Sequence, residues 1–134
     1  MKNKTLIQDY YLRSGHRIEA LKFYFERKAY AEVVRESQEV VELMLKALVR
    51  SCGIEVPHIH DLSPVILDNI DRFPEVLQSD LKKIASISKK LRRDREMAFY
   101  GTEDITPSDF YAKEDAEHAI ASAEFIFEKL KFLK

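Results

Sequence analysis

The sequence predicts an all-α fold: an up-and-down bundle of four long helices with one short connecting helix. Apolar residues recur at steps of three and four along almost the whole chain, and no stretch alternates in the manner of a strand. Three glycines and four prolines leave long segments without a breaker. These segments are similar in reach, and about 24 helical residues extend about 36 Å, so the long members are expected to pack along their whole extent. The 134 residues suffice to bury a core as a single domain, 1–134, without staples.

The first helix is expected over residues 5–28, with Leu6, Tyr10, Arg13, Arg17, Leu21, Tyr24 and Phe25 outlining one side. Gly15 weakens its middle by roughly 1 kcal/mol relative to alanine, so a bend is expected there. A second helix, 29–52, is defined by Val33, Val34, Ser37, Val40, Val41, Met44, Leu48 and Val49 and is stopped by Gly53. Residues 54–61 carry Pro57 and two histidines and read as a loop. Ser63 before Pro64 has the form of an N-cap and first helical residue, opening a short helix that Phe73-Pro74 ends. The fourth helix is expected over 74–100, with Leu77, Leu81, Ile84, Ser88, Leu91, Arg95 and Ala98 on one stripe and Gly101 as a left-handed C-terminal residue. Thr106-Pro107-Ser108-Asp109 opens the fifth, whose buried stripe is Ala112, Ala116, Ala119, Ile120, Ala123, Ile126, Phe127 and Leu130.

Acidic and basic residues nearly cancel to a formal net charge of −1, which excludes a global electrostatic pull on nucleic acid; any anion site must come from local clustering. The one cysteine, Cys52, cannot form an internal disulfide and reads as a small core hydrophobe, since no activating partner is indicated. Neither a signal-peptide core nor a membrane-spanning apolar run is present, so a cytoplasmic protein without a membrane partner is expected.

Local clustering is found at the end of the fourth helix. Arg95 interrupts its apolar stripe, as a snorkelling side chain, an ion-pair partner, or a guanidinium aimed at a phosphate or carboxylate. Arg92, three residues earlier, lies on an adjacent part of that face, and two such guanidinium groups suit a shared phosphate; Arg92 can also pair with Glu96. Lys82, Lys83, Lys89, Lys90 and Arg93 point away from the stripe and read as a solvated face. Tyr100 lies on the flank of the arginine region. His58 and His60, two apart in a loop without cysteine ligands, make a poor metal signature, and neither metal nor cofactor is expected. Asp61 can satisfy amides at the next helix start, His60 can fix the loop by hydrogen bonding, and Glu42 and Lys46 are spaced for a helix salt bridge.

Three stretches, in this order, resemble the HEPN family, helical bundles named for higher eukaryotes and prokaryotes and for nucleotide binding. Glu39 to Leu48 resembles the family's second-helix pattern, a glutamate followed four residues later by Lys-Ala, here Glu42, Lys46 and Ala47. His60-Asp61-Leu62 is similar to the His-Asp-Leu that opens its connecting helix, and Arg95-Glu96-Met97-Ala98-Phe99-Tyr100-Gly101 to the Arg-rich close of its penultimate long helix. The resemblance implies nucleotide or RNA binding and a homodimer whose groove brings together two sets of Arg92, Arg95 and Tyr100. Ribonuclease members carry an arginine followed by four to six residues and then a histidine; five on from Arg95, Tyr100 stands there instead. A tyrosine phenol, with an ordinary pKa of about 10, is a poor general base at neutral pH, though it can donate a hydrogen bond to phosphate or stack on a base.

The expected function is therefore nucleotide or RNA binding without the standard ribonuclease activity, as the helical half of a toxin–antitoxin pair with a small nucleotidyltransferase that modifies Tyr100. A metal-independent endoribonuclease with a variant site and a non-catalytic dimeric interaction module are the alternatives. For the module, Phe23, Phe25, Phe125, Phe127 and Phe132 supply apolar surface. The candidate ligand-binding residues are Arg92, Arg95, Tyr100, His60, Asp61 and Lys46, and the candidate catalytic residues Arg95, Tyr100 and His60.

Overall fold

A central helix organises the chain because nearly all of its sides are covered, polar positions among them. The computed structural model describes residues 2–134, and side chains for all of these except residues 2–4, 95, 96 and 99. Among the described residues there are six α-helices and no strand: α1 (Lys2–Glu26), α2 (Tyr30–Ser51), α3 (Ser63–Asp68), α4 (Leu81–Tyr100), α5 (Pro107–Phe110) and α6 (Lys113–Lys129). Short 3-10 turns at Ile70–Arg72, Glu75–Asp80 and Lys131–Leu133 complete them. α2 packs against α1, α4 and α6, and Val33, Val40, Met44, Leu45, Leu48 and Val49 are fully buried there. Each valine lowers helix propensity by only about 0.5 kcal/mol, whereas its burial contributes roughly 1.5–3 kcal/mol, so packing decides.

The connection from α1 to α2 is closed by backbone hydrogen bonds. Ala29 N–H donates to Tyr24 O at 2.9 Å and Lys28 N–H to Phe25 O at 3.0 Å, a Schellman closure with Lys28 at φ 61° where glycine is usual. The same pair of bonds ends α2, from Ile54 N–H to Val49 O and from Gly53 N–H to Arg50 O, with Gly53 at φ 73°.

Four expectations are corrected. Residues 75–80 form a 3-10 turn, because Pro74 is extended (ψ 143°); α4 begins at Leu81, yet Leu77 still reaches the core with Leu81, Ile84, Ser88, Leu91 and Ala98. The fifth predicted helix is two helices, broken where Tyr111 and Ala112 turn extended. Gly101 combines φ 71° with ψ −153°, a glycine-only conformation and not the left-handed helical one; a Cβ there would lie 2.5 Å from the Ile105 carbonyl oxygen. Finally, α4 and α6 touch over only a short stretch, so these two long helices do not pack along their whole extent.

Gly15 breaks nothing: α1 is continuous through it. The aromatic ring of Phe127, stacked on Tyr11 at 4.7 Å, passes close by, and an added Cβ at residue 15 would sit 3.6 Å from it, in ordinary contact. Gly15→Ala is therefore expected to stabilise the protein by roughly 0.5–1 kcal/mol. A urea unfolding midpoint at or below that of the native chain would contradict this.

Candidate functional site

Two buried polar positions on α2 and one on α4 hold the loop that follows α2. Glu42 is 9% exposed, and an unpaired carboxylate at that depth would cost several kcal/mol. Three side chains surround it: Gln38 Nε2 donates to Oε1 at 3.3 Å, His60 Nδ1 lies 2.6 Å from the same oxygen, and Lys46 Nζ is 3.5 Å from Oε2. A carboxylate oxygen only accepts, so His60 donates from Nδ1. The imidazole is fixed on its inner side while its side chain remains 46% exposed.

Asp61, the next residue, ties the loop to α4. Its Oδ1 accepts from Ser63 N–H and from Ser88 Oγ, both at 2.9 Å, and Ser88 Oγ in turn accepts from Leu62 N–H at 3.3 Å. The acceptor at the start of α3 is thus Asp61; the expectation that Ser63 caps this helix is corrected, since Ser63 lies inside it and its side chain makes no capping bond. Ser88 was legible only as a serine on an apolar stripe. Its hydroxyl is the group that lets a polar residue occupy that stripe, 5% exposed.

One and two turns beyond Ser88 on the same stripe come residues 92 and 95, displaced along the axis by about 6 and 10 Å. Arg92 is half-buried. Arg95 belongs to α4, but its side chain, with those of Glu96 and Phe99, lies outside the described residues. Tyr100 closes α4 and is 77% exposed. Lys82, Lys83, Lys89, Lys90 and Arg93 are exposed as expected, and Lys83 covers the Phe125 ring at 3.9 Å. Of the five phenylalanines read as interface candidates, Phe25 packs beside Tyr30, Phe127 stacks on Tyr11, and Phe23 and Phe132 remain exposed.

An adjoining side of α4 carries a feature the sequence did not disclose. Where α4 and α6 diverge there is a cleft of about 450 Å³, floored by Val34, Ile87, Leu91 and Ala119. Tyr111 enters it from the break between α5 and α6 and donates its hydroxyl to the Asp94 carbonyl oxygen at 3.1 Å. Burial, reinforced by the negative charges of Asp94 and Asp115, pushes the Tyr111 phenol upward and keeps it a donor. Burial also raises the Asp94 carboxyl, opposed by Lys90 and Arg93 and reinforced by Asp115, which caps α6 by accepting from Ala112 N–H at 2.8 Å.

Compared with known proteins, residues 7–133 match a family model described as HEPN domain. No curated protein and no solved structure matches the chain.

Removing the Asp61 carboxylate leaves the first amide of α3 and a buried serine hydroxyl without their acceptor. Asp61→Ala is expected to lower stability by about 2 kcal/mol, and Asp61→Asn, which keeps an oxygen in place, by less than half of that. Urea unfolding of the two variants distinguishes them; equal losses would show that the Oδ1 contacts do not hold the loop. Asp94 yields a pH prediction. A folded-state pKa above 3.8 means that the folded chain holds this proton more tightly than the unfolded one. The stabilising contribution is full below the unfolded value and lost as pH rises through the folded one. Asp94→Asn should therefore melt above the native protein at neutral pH, with the advantage shrinking as the pH approaches 4; a constant difference across that range would exclude this origin.

Proposed function

Because the chain belongs to the HEPN domain family, whose model covers nearly all of it, we propose that this single domain binds a nucleotide or RNA phosphate on the α4 side of the His60–Asp61 loop. The observation that carries this reading is the Asp61–Ser88 hydrogen bond. It holds the loop that carries His60 beside the helical stripe that continues into Arg92 and Arg95, and His60 shares Glu42 with Lys46 of α2. Two guanidinium groups one turn apart suit the forked geometry of phosphate oxygens, and the exposed Tyr100 ring offers a face for a base. Asp61 acts from behind, holding the loop through Oδ1.

The helical half of a two-component system with a small nucleotidyltransferase is the finer form of this reading. Tyr100 supports it, as a phenol 77% exposed at a helix end where another protein's active site can reach it. One observation favours a second reading, that of a metal-independent endoribonuclease. Glu42 orients the His60 imidazole from its inner nitrogen, the arrangement by which a carboxylate sets a histidine for proton transfer.

Thermal unfolding of the native chain and of Arg95→Ala, across nucleoside phosphates and short RNAs, tests the binding reading. Ligand at a hundred times its dissociation constant should stabilise by about 2.7 kcal/mol and raise the midpoint by several degrees, and Arg95→Ala should lose that shift. If no ligand moves the midpoint of the native protein, the binding reading fails and an interaction module takes its place.

A further inference from the structure

The cleft between α4 and α6 has an apolar floor and acidic walls. Val34, Ile87, Leu91 and Ala119 make the floor, and the Phe110 ring, set edge-on to Tyr111 at 4.9 Å, lines it while remaining exposed. At about 450 Å³ the cleft can take up much of a small organic molecule. Asp94 enters it from α4 and Asp115 from the first turn of α6. The two are near neighbours: burial first, and then the charge of Asp115, hold the Asp94 carboxyl up against the pull of Lys90 and Arg93. Asp115 spends Oδ2 on the Ala112 N–H and keeps Oδ1, and among the described residues neither carboxylate has an ion pair. The Tyr111 hydroxyl has its proton on the Asp94 carbonyl oxygen and can offer a ligand only its lone pairs. Lys90 and His118 line the cleft as well, but both are exposed, and His118 Nε2 lies 3.8 Å from Glu114 Oε1.

We infer that this cleft binds a small organic cation, a protonated amine whose ammonium group sits between Asp94 and Asp115 and whose apolar body lies on the floor beside Phe110. An ammonium has three donors and no acceptor, which matches walls that present acceptors. It supplies the positive charge that two neighbouring carboxylates lack, through charge-assisted hydrogen bonds. The apolar body displaces water from Ile87, Leu91 and Ala119. An anion would add a third negative charge between the two carboxylates, and an uncharged molecule would leave them as they are, so charge and shape together select the amine. The cleft lies on the α6 side of α4, and its occupancy stands or falls without phosphate binding beside the His60–Asp61 loop.

Titration of the isotope-labelled full chain with phenethylamine at neutral pH, followed through the backbone amide resonances, is the test. Saturable shifts are expected at Ile87, Leu91, Phe110 and Ala119, with a Kd of about a millimolar for so small a ligand. The alcohol 2-phenylethanol, which keeps the body and lacks the charge, should bind at least about ten-fold more weakly. D94N should weaken the amine about ten-fold, and D94N/D115N should show no saturable shift. Asparagine keeps an oxygen for the Ala112 N–H, so both variants should retain the helical circular dichroism of the native chain. Absence of saturable shifts at these four amides in the native protein overturns the proposal. So does an alcohol that binds as tightly as the amine, which would make the cleft a merely apolar surface, or a D94N/D115N chain that binds the amine as the native one does.

Discussion

Burying α2 on three sides leaves two of its acidic residues with little water to turn to, and the rest of the architecture answers to that constraint. Glu36 and Glu42 are both nearly inaccessible, and each is met by a side chain from another element. Arg17 of α1 places one guanidinium nitrogen 2.8 and 3.0 Å from the two Glu36 oxygens, while Glu42 is met by His60 from the loop and Lys46 from its own helix. Buried ion pairs add little net stability over well-packed apolar residues, but an unpaired one is costly. Their effect here is on register: sliding α1 along α2, or moving the loop, would strand a carboxylate in the core.

The same loop is gripped from the other side by Ser88, so residues 60–63 are held between α2 and α4. That double attachment turns the connection from α2 to α3, which carries two histidines, into a positioned element. A loop pinned only at its ends would leave His60 free to sample many orientations. Held by Glu42, the imidazole has one.

α4 separates two chemistries. Residues 92 and 95 follow Ser88 on the stripe facing the loop, whereas Asp94 turns toward the cleft beside α6, with Asp115 and Tyr111. Residues two apart on a helix lie on nearly opposite sides, so one turn presents guanidinium to one face and carboxylate to the other. Tyr111 is buried on that second face, with its hydroxyl on the Asp94 carbonyl oxygen.

The all-helical class, the extents of α1 and α2, and the core stripe from Leu77 to Ala98 were legible from residue order, because helical periodicity and glycine stops are local signals. Pro74, Tyr111 and Gly101 show the limit of such signals. The extended backbone at the first two and the glycine-only conformation at the third are set by what each segment packs against. The Glu42–Lys46 spacing and the value of Asp61 to a helix start could also be read locally. That Glu42 would take His60 from eighteen residues away, that Asp61 would find Ser88 twenty-seven residues on, and that α4 and α6 would diverge into a cleft could not. Those pairings depend on which buried groups are left without partners once the helices have packed, and that is a property of the assembled core and not of any segment within it.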